Sequence, residues 1–359
     1  MNYTEHEKYM LRCLQLAKKG IGSTRPNPSV GAVVVLDGVI IGEGYTSAYG
    51  GAHAEVNAIA AVKDKNLLKK AVLYVSLEPC SHYGKTPPCA DLIVTQQIPK
   101  VYIGCVDSHS LVAGKGIERL RSAGCSVTVG VLESQCREQL KRFFTVQEKN
   151  RPYILLKWAQ TKDGFIAPLV KDKQKPVWIS NVYSQQLAHK WRAEEQAILV
   201  GANTVLADNP SLNVRHWKGL NPIRVVLDKN IQLPTEATVF NGQVPTIVIY
   251  HQDVDVANTH LYANQSQRKH PLVFLSVDYL KPLAQQICAV LQSQQIQSVM
   301  IEGGAKTLQS FIDEGLWDEA RVFEGEVSFE KGVEAPILKR SPFEIQKIHS
   351  DLLKTYKHD

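Results

Sequence analysis

Ala71-Val72-Leu73-Tyr74-Val75-Ser76-Leu77-Glu78-Pro79-Cys80 carries the first decision about fold. A short run rich in β-branched and aromatic residues reads as a buried strand, and Pro79 ends it. His53 to Lys63 before it and Pro88 to Gln96 after it have helical spacing. Val101 to Val106 is extended again, and Lys115 to Ala123 is helical. This alternation predicts an α/β sandwich whose later strands run parallel. Upstream, Thr4 and Glu7 form a capping-box signal for a helix carrying Met10, Cys13, Leu14 and Ala17, closed by Gly20. Val30 to Leu36 and Val39 to Ile41 flank Asp37-Gly38, the strongest short-range hairpin signal.

A helix-like run from Glu133 to Gln147 leads into the polar stretch Glu148-Lys149-Asn150-Arg151-Pro152, which reads as a joint between domains. Two domains are therefore expected, 1–147 and 151–359. The second half is also α/β. Its strand candidates are Tyr153 to Trp158, Ala197 to Val200, Ile223 to Leu227, Thr246 to Tyr250, Leu272 to Ser276 and Ser298 to Ile301. Helical candidates are Asn181 to Glu194, Pro282 to Ser293 and Lys306 to Glu314.

At 359 residues, 44% hydrophobic and 21% charged, the chain can bury two cores, which excludes disordered and collagen-like classes. The net charge of +6 is uneven: residues 1–150 hold 18 Lys+Arg against 13 Asp+Glu, and the rest is nearly balanced. No block of like charges advertises a nucleic-acid arm; an anionic small substrate suits the excess equally well. No apolar run approaches membrane length, and MNYTEHEKYM lacks the pattern of a signal peptide, so a cytoplasmic protein is expected. Seven scattered cysteines do not make a disulfide scaffold; core packing or metal ligation fits them better.

Chemistry concentrates at His53-Ala54-Glu55, Glu78-Pro79-Cys80 and Cys89. His-x-Glu followed by Pro-Cys and a second Cys is the zinc nucleobase-deaminase pattern, although the residues between the cysteines outnumber the usual two. Three N/S ligands leave a tetrahedral position for water, as catalytic zinc requires. Zinc would lower that water's pKa toward ~7, and Glu55 would carry its proton to the leaving ammonia. Each ligand alone reads more readily as a core residue, but the three together at strand–helix junctions, with Glu55 between them, read as a metal site. A structural zinc would need a fourth ligand, for which His82 is the nearest candidate. Asn27, between Pro26 and Pro28, offers an amide to a pyrimidinone edge or is simply a turn residue. His82, Lys85 and Thr86, on the loop joining the cysteines, offer donors to an anion or form a solvated loop.

Pro26-Asn27-Pro28-x-Val30-Gly31, His53-Ala54-Glu55-Val56, Glu78-Pro79-Cys80-Ser81-His82 and Thr86-Pro87-Pro88-Cys89 closely resemble the bifunctional riboflavin-biosynthesis deaminase/reductase family. So do Lys157-Trp158-Ala159, Asp163-Gly164, Trp178-Ile179-Ser180, the stretch from Gly201 to Leu212, and Glu302-Gly303-Gly304. The resemblance implies a cytidine-deaminase-like α/β/α domain followed by a dihydrofolate-reductase-like α/β domain. It implies zinc-dependent deamination of a phosphorylated diaminopyrimidinone, then reduction of its ribosyl group by NADPH, in a homo-oligomer (dimer or tetramer). By this resemblance His53, Cys80 and Cys89 are the zinc ligands and Glu55 the proton donor. Ala159, Trp178, Thr204, Asp208 and the stretch Gly304, Ala305, Lys306, Thr307 and Leu308 are cofactor contacts. Lys157, Ser180, Arg192, Leu212, Arg215 and Glu302 are contacts to the reductase substrate.

Those roles make physical sense. Arg192 and Arg215 can each hold a phosphate with a bidentate fork, and Gly303-Gly304, between a strand and a helix, can cradle a cofactor phosphate. Alternatives stay open: Trp178 as core, Asp208 as a turn former, Lys157 with Glu302 as a structural ion pair. The chain departs from the family pattern in the long basic loop Pro168 to Lys175 and after Asp318. A zinc-dependent nucleic-acid or tRNA base deaminase with an accessory nucleotide-binding domain is the rival reading, and a fold-only zinc scaffold a further one.

Overall fold

The computed structural model describes residues 3–83, 87–108, 113–263 and 269–358. The chain divides into two compact units, Met1–Asn150 and Arg151–Asp359.

In the first unit the order is α1 (Glu5–Lys18), β1 (Gly31–Leu36), β2 (Val39–Tyr45), α2 (Ala54–Ala61), β3 (Val72–Leu77), α3 (Cys89–Thr95), β4 (Lys100–Cys105), α4 (Lys115–Ser122), β5 (Ser126–Val129), α5 (Glu133–Gln139) and α6 (Lys141–Lys149). The capping box at α1 is complete: Glu7 N–H donates to Thr4 Oγ1 at 3.3 Å, and Thr4 N–H donates to Glu7 Oε2 at 2.7 Å. The sheet order is β2-β1-β3-β4-β5. The β1–β2 hairpin turns at Asp37-Gly38, and both residues have positive φ, as its tight turn requires. From β3 to β5 the strands are parallel. Met10, Cys13, Val33, Ala58, Ile93 and Phe144 belong to the core that this sheet shares with its helices. The run expected as one helix, Glu133 to Gln147, is two helices broken at Leu140 (φ −101°, ψ 14°), and the second continues to Lys149. With that break Cys136, Leu140, Phe143 and Phe144 all reach the core.

The second unit contains β6 (Tyr153–Gln160), β7 (Phe165–Pro168), α7 (Val182–Glu194), β8 (Ala197–Gly201), α8 (Ala202–Asp208), β9 (Ile223–Leu227), β10 (Thr246–His251), α9 (His260–Ala263), β11 (Leu272–Val277), α10 (Leu283–Ser293), β12 (Ser298–Gly303), α11 (Ala305–Asp313), β13 (Glu319–Glu324), β14 (Gly332–Glu334), β15 (Glu344–Ile348) and β16 (Asp351–Lys357). Nine strands form one sheet in the order β11-β10-β9-β8-β12-β6-β13-β16-β15. From β11 to β13 the neighbours are parallel, and β16 and β15 then add antiparallel. Ile154, Leu156 and Trp158 of β6 pack on one face with Ile287, Leu308 and Phe311. Tyr153 and Leu155 face the other side with Trp191, Phe240 and Phe323. The connections leaving β6 and β8 run toward β11, whereas the one leaving β12, which lies between them, runs toward β13. The carboxyl ends of strands at such a switch are where open α/β sheets bind ligands.

Candidate active sites

In the first unit two strand–helix junctions meet. His53 is the N-cap of α2, with an extended backbone and no capping hydrogen bond from its ring. Cys89 opens α3, and Cys80 follows β3 through Glu78-Pro79. The sulfurs of Cys80 and Cys89 lie 3.6 and 3.4 Å from Nδ1 of His53, and the three ligand atoms fall within 4.8 Å of one another. Tetrahedral zinc with Zn–S of about 2.3 Å and Zn–N of about 2.05 Å sets N···S edges at about 3.6 Å, so the residues fit the metal. Among the described residues this cluster has three ligands, and His82 is not one of them.

The electrostatics call for a cation. Contact with the Cys89 side chain, aided by His53 and the Cys89 backbone N–H at 3.3 Å, pulls the Cys80 thiol well down despite its burial. The Cys80 sulfur and burial then push Cys89 up, because a second negative charge has no compensation. Hydrogen bonding to Cys80 raises His53 against the opposing effect of burial. Glu55, in the first turn of α2, is 4% exposed, and burial followed by the charge on Cys80 pushes its carboxyl up to about 7.

Sequence reading placed Glu78 beside Cys80 without giving it a part, and the structure shows what it holds. Its buried carboxylate accepts from the backbone N–H groups of Asp107 (3.2 Å), Gly114 (3.0 Å), Gly116 (2.9 Å) and Ile117 (3.2 Å). It thereby ties the start of α4 beneath the Pro79-Cys80 turn. Gly116 is required there, since a Cβ would sit 2.0 Å from the Pro79 carbonyl oxygen. The sequence signal was its place in the Glu78-Pro79-Cys80 motif at the end of an apolar strand.

Asn27 lies half-buried on a loop joined to the segment before His53 by Tyr49 N–H donating to Ser23 O at 3.2 Å. His82 is exposed. Lys85 and Thr86 lie outside the described residues.

In the second unit Lys157, Arg192 and Glu302 gather where β6, α7 and β12 meet. Arg192 is fork to fork with Glu302, Nε to Oε1 at 3.0 Å and Nη2 to Oε2 at 2.6 Å, and its Nη1 donates to Asn213 O at 3.2 Å. Two corrections follow. Glu302 pairs with Arg192 rather than Lys157, and the Arg192 fork expected for phosphate is spent on that carboxylate. Burial works to raise the Glu302 carboxyl, but Arg192 and Lys157 overcome it and hold it at about 2. Burial and Arg192 lower Lys157, against the pull of Glu302. Arg215 is exposed, and its Nη1 donates to Asn213 Oδ1 at 2.7 Å. Leu212 is buried, with φ +51°. Ser180, just before α7, accepts from Gln185 through its carbonyl.

Beside this cluster the ends of β8 and β12 each pass through glycine into a helix. A Cβ on Gly303 would lie 3.0 Å from Thr204 Oγ1, and one on Gly201 would lie 3.0 Å from Thr307 Oγ1. Glycine at both positions leaves room for α8 and α11 to begin this close together, since a side chain there would press on a threonine hydroxyl. The first backbone N–H groups of α11, at Ala305, Lys306 and Thr307, have no partner within the helix, so the cradle fits a cofactor phosphate. Leu308 does not: its side chain is core and its N–H donates to Gly304 O. Trp178 is 59% exposed and is not core. Asp208 ends α8 and does not itself turn the chain; Asn209 takes the left-handed conformation as its C-cap. Lys171 of the long basic loop binds Asp208, and Gln174 donates to Leu206 O at 2.8 Å, so the loop packs along α8. Ala159 stands near the end of β6.

Residues 3–105 match the cytidine and deoxycytidylate deaminase zinc-binding region, and residues 152–325 match the RibD C-terminal domain. The riboflavin biosynthesis protein RibD of Aquifex aeolicus is 42% identical over 319 residues, 88% of this chain and 86% of that protein. That of Bacillus amyloliquefaciens is 40% identical over 324 residues, covering 88% and 83%. The chain belongs to the RibD family. A crystal structure of a Thermotoga maritima diaminohydroxyphosphoribosylaminopyrimidine deaminase/5-amino-6-(5-phosphoribosylamino)uracil reductase superposes with a TM-score of 0.86 at 35% identity, covering 98% of each chain. Like other RibD proteins, this one is a bifunctional enzyme of riboflavin biosynthesis: a zinc-dependent cytidine-deaminase-like domain followed by an NADPH-dependent reductase domain. The nucleic-acid deaminase reading is not favoured, because RibD relatives account for both halves. No helix among the described residues is long and apolar enough to cross a membrane.

Proposed function

We propose that the enzyme acts on 2,5-diamino-6-ribosylamino-4(3H)-pyrimidinone 5′-phosphate in two consecutive steps, in the cytoplasm and as a homo-oligomer (dimer or tetramer) that binds neither nucleic acid nor membrane. The convergence of the Cys80 and Cys89 sulfurs on His53 Nδ1, with Glu55 sealed beside them, carries the reading. His53, Cys80 and Cys89 hold zinc in it. Zinc bound there lowers the pKa of water toward about 7 and so provides a nucleophile at neutral pH. Glu55 takes the proton of the attacking water and delivers it to the departing amino group. A C2–O bond forms, the C2–N bond breaks and ammonia leaves. The Asn27 amide takes the edge of the ring; His82 and Lys85 take the anionic side.

In the second step bound NADPH would supply a hydride for ribosyl C1′, where a C1′–H bond forms, the C1′–O4′ ring bond breaks and O4′ takes a proton to become the ribityl hydroxyl. Gly304, Ala305, Lys306 and Thr307 hold its phosphate, and Thr204, Asp208, Trp178 and Ala159 complete its site. Lys157, Ser180, Leu212, Arg215 and the Arg192–Glu302 pair bind the sugar and its phosphate, with Arg215 the phosphate contact. The free cysteines, buried or half-buried, support a reducing compartment. A coupled assay tests the whole: purified protein should hold one zinc, release ammonia from the pyrimidinone and then consume NADPH. Zinc-loaded protein that does neither contradicts it.

A further inference from the structure

His189 is buried on α7, three residues before Arg192, so both side chains look out from one face of the helix. Its Nδ1 accepts the backbone N–H of Arg215 at 3.1 Å. That places the ring proton on Nε2, because an Nδ1 that accepts carries none. Burial, followed by the charges of Arg192, Arg215 and His216, pushes its pKa down to about 4, so the ring stays neutral at neutral pH and Nδ1 remains free to accept. The next residue packs on the same ring: His216 stands edge-on at 4.8 Å and 87°.

The bond does more than secure a loop. On one side of Arg215, the Asn213 carbonyl accepts from Arg192, and the Asn213 side chain accepts from the Arg215 guanidinium. On the other side, Lys190 lies over the Trp217 ring at 5.9 Å. Segment 213–217 is thus held along α7 by His189, Lys190 and Arg192. His189 grips the backbone of the exposed arginine itself. A guanidinium that must meet a phosphate bidentately depends on where its backbone is fixed, since free side-chain rotors would otherwise have to be ordered on binding.

We propose that His189 is a positioning residue for recognition of the substrate's 5′-phosphate, acting by fixing Arg215 through its Nδ1. The inference rests on the reading of Arg215 as the phosphate contact. His189 need not touch the substrate.

The test uses the full-length zinc-loaded protein, NADPH and the pre-deaminated uracil substrate, with and without its phosphate. His189→Ala should raise KM for the phosphorylated form about tenfold, the scale of one charge-assisted hydrogen bond, while kcat and KM for the dephosphorylated form change little. His189→Asn, whose Oδ1 stands where Nδ1 stood, should restore the preference for phosphate. His189→Gln, which places its amide farther out, should not. Should His189→Ala fail to fold, the Asn and Gln pair decides alone. Equal losses on both substrates, or Asn no better than Gln, overturn the proposal while Arg215→Ala still abolishes the preference. If Arg215→Ala also affects both substrates equally, the phosphate reading falls and His189's part in it falls too.

Discussion

Arg192 and Glu302 face each other with two parallel hydrogen bonds of 3.0 and 2.6 Å, their side chains only 13% and 8% exposed. A carboxylate so placed anchors one of three cations, with Lys157 and Arg215 alongside, and keeps the cluster from being a plain anion trap. Removing one partner of such a pair leaves a buried charge uncompensated, so Glu302→Ala should destabilise the reductase half by about 3 kcal/mol. Urea unfolding followed by Trp fluorescence reads this; a change within error would show that the pair is not structural.

The same pair predicts an acid limb. The Glu302 carboxyl sits at about 2 in the fold against an ordinary 4.5. A depressed folded pKa gives stability that is complete above the unfolded value and lost as pH falls through the folded one. The contribution should therefore decline between about pH 4.5 and 2, and Glu302→Gln should flatten that part of the stability profile. A mutant profile parallel to wild type would contradict it.

Glu78 and Gly116 should matter to zinc without touching it. Glu78→Ala strands four backbone N–H groups and should cost at least about 2 kcal/mol. Gly116→Ala ordinarily favours a helix by about 1 kcal/mol, but here the Cβ would collide with the Pro79 oxygen, so the sign should reverse. Zinc content and thermal unfolding check both; wild-type metal affinity in both variants would remove Glu78 from the site's support.

Chelation should separate the two activities. Ammonia release should stop, while NADPH oxidation on pre-deaminated substrate continues. Parallel loss of both would mean that the halves do not function independently.

At the cofactor cradle, Gly303→Ala brings a methyl group to 3.0 Å from Thr204 Oγ1. KM for NADPH should rise about tenfold, roughly 1.4 kcal/mol of binding, with deamination untouched. An unchanged KM would place the cofactor elsewhere.

The metal site was legible because its ligands sit at strand–helix boundaries that Pro79, Pro88 and the apolar runs mark unambiguously. The parallel strands of the second unit were legible for the same reason. The last strands were not, because β13 interleaves its apolar residues with Glu319 and Arg321, which bury themselves by pairing with each other at 2.5 Å, while Glu319 also accepts from the Tyr153 hydroxyl at 2.7 Å. Hydropathy sees only the charges. The Arg192–Glu302 pairing was hidden because partners 110 residues apart leave no local signal. The break at Leu140 was hidden because residues on both sides favour helix.

The most direct measurement is ammonia release by zinc-loaded Glu55→Gln protein on the diaminopyrimidinone phosphate, with metal content determined on the same sample. One bound zinc and a rate several orders of magnitude below wild type, on the order of what loss of general acid–base catalysis costs, is the predicted result. A normal rate would show that Glu55 is not the group that carries the proton.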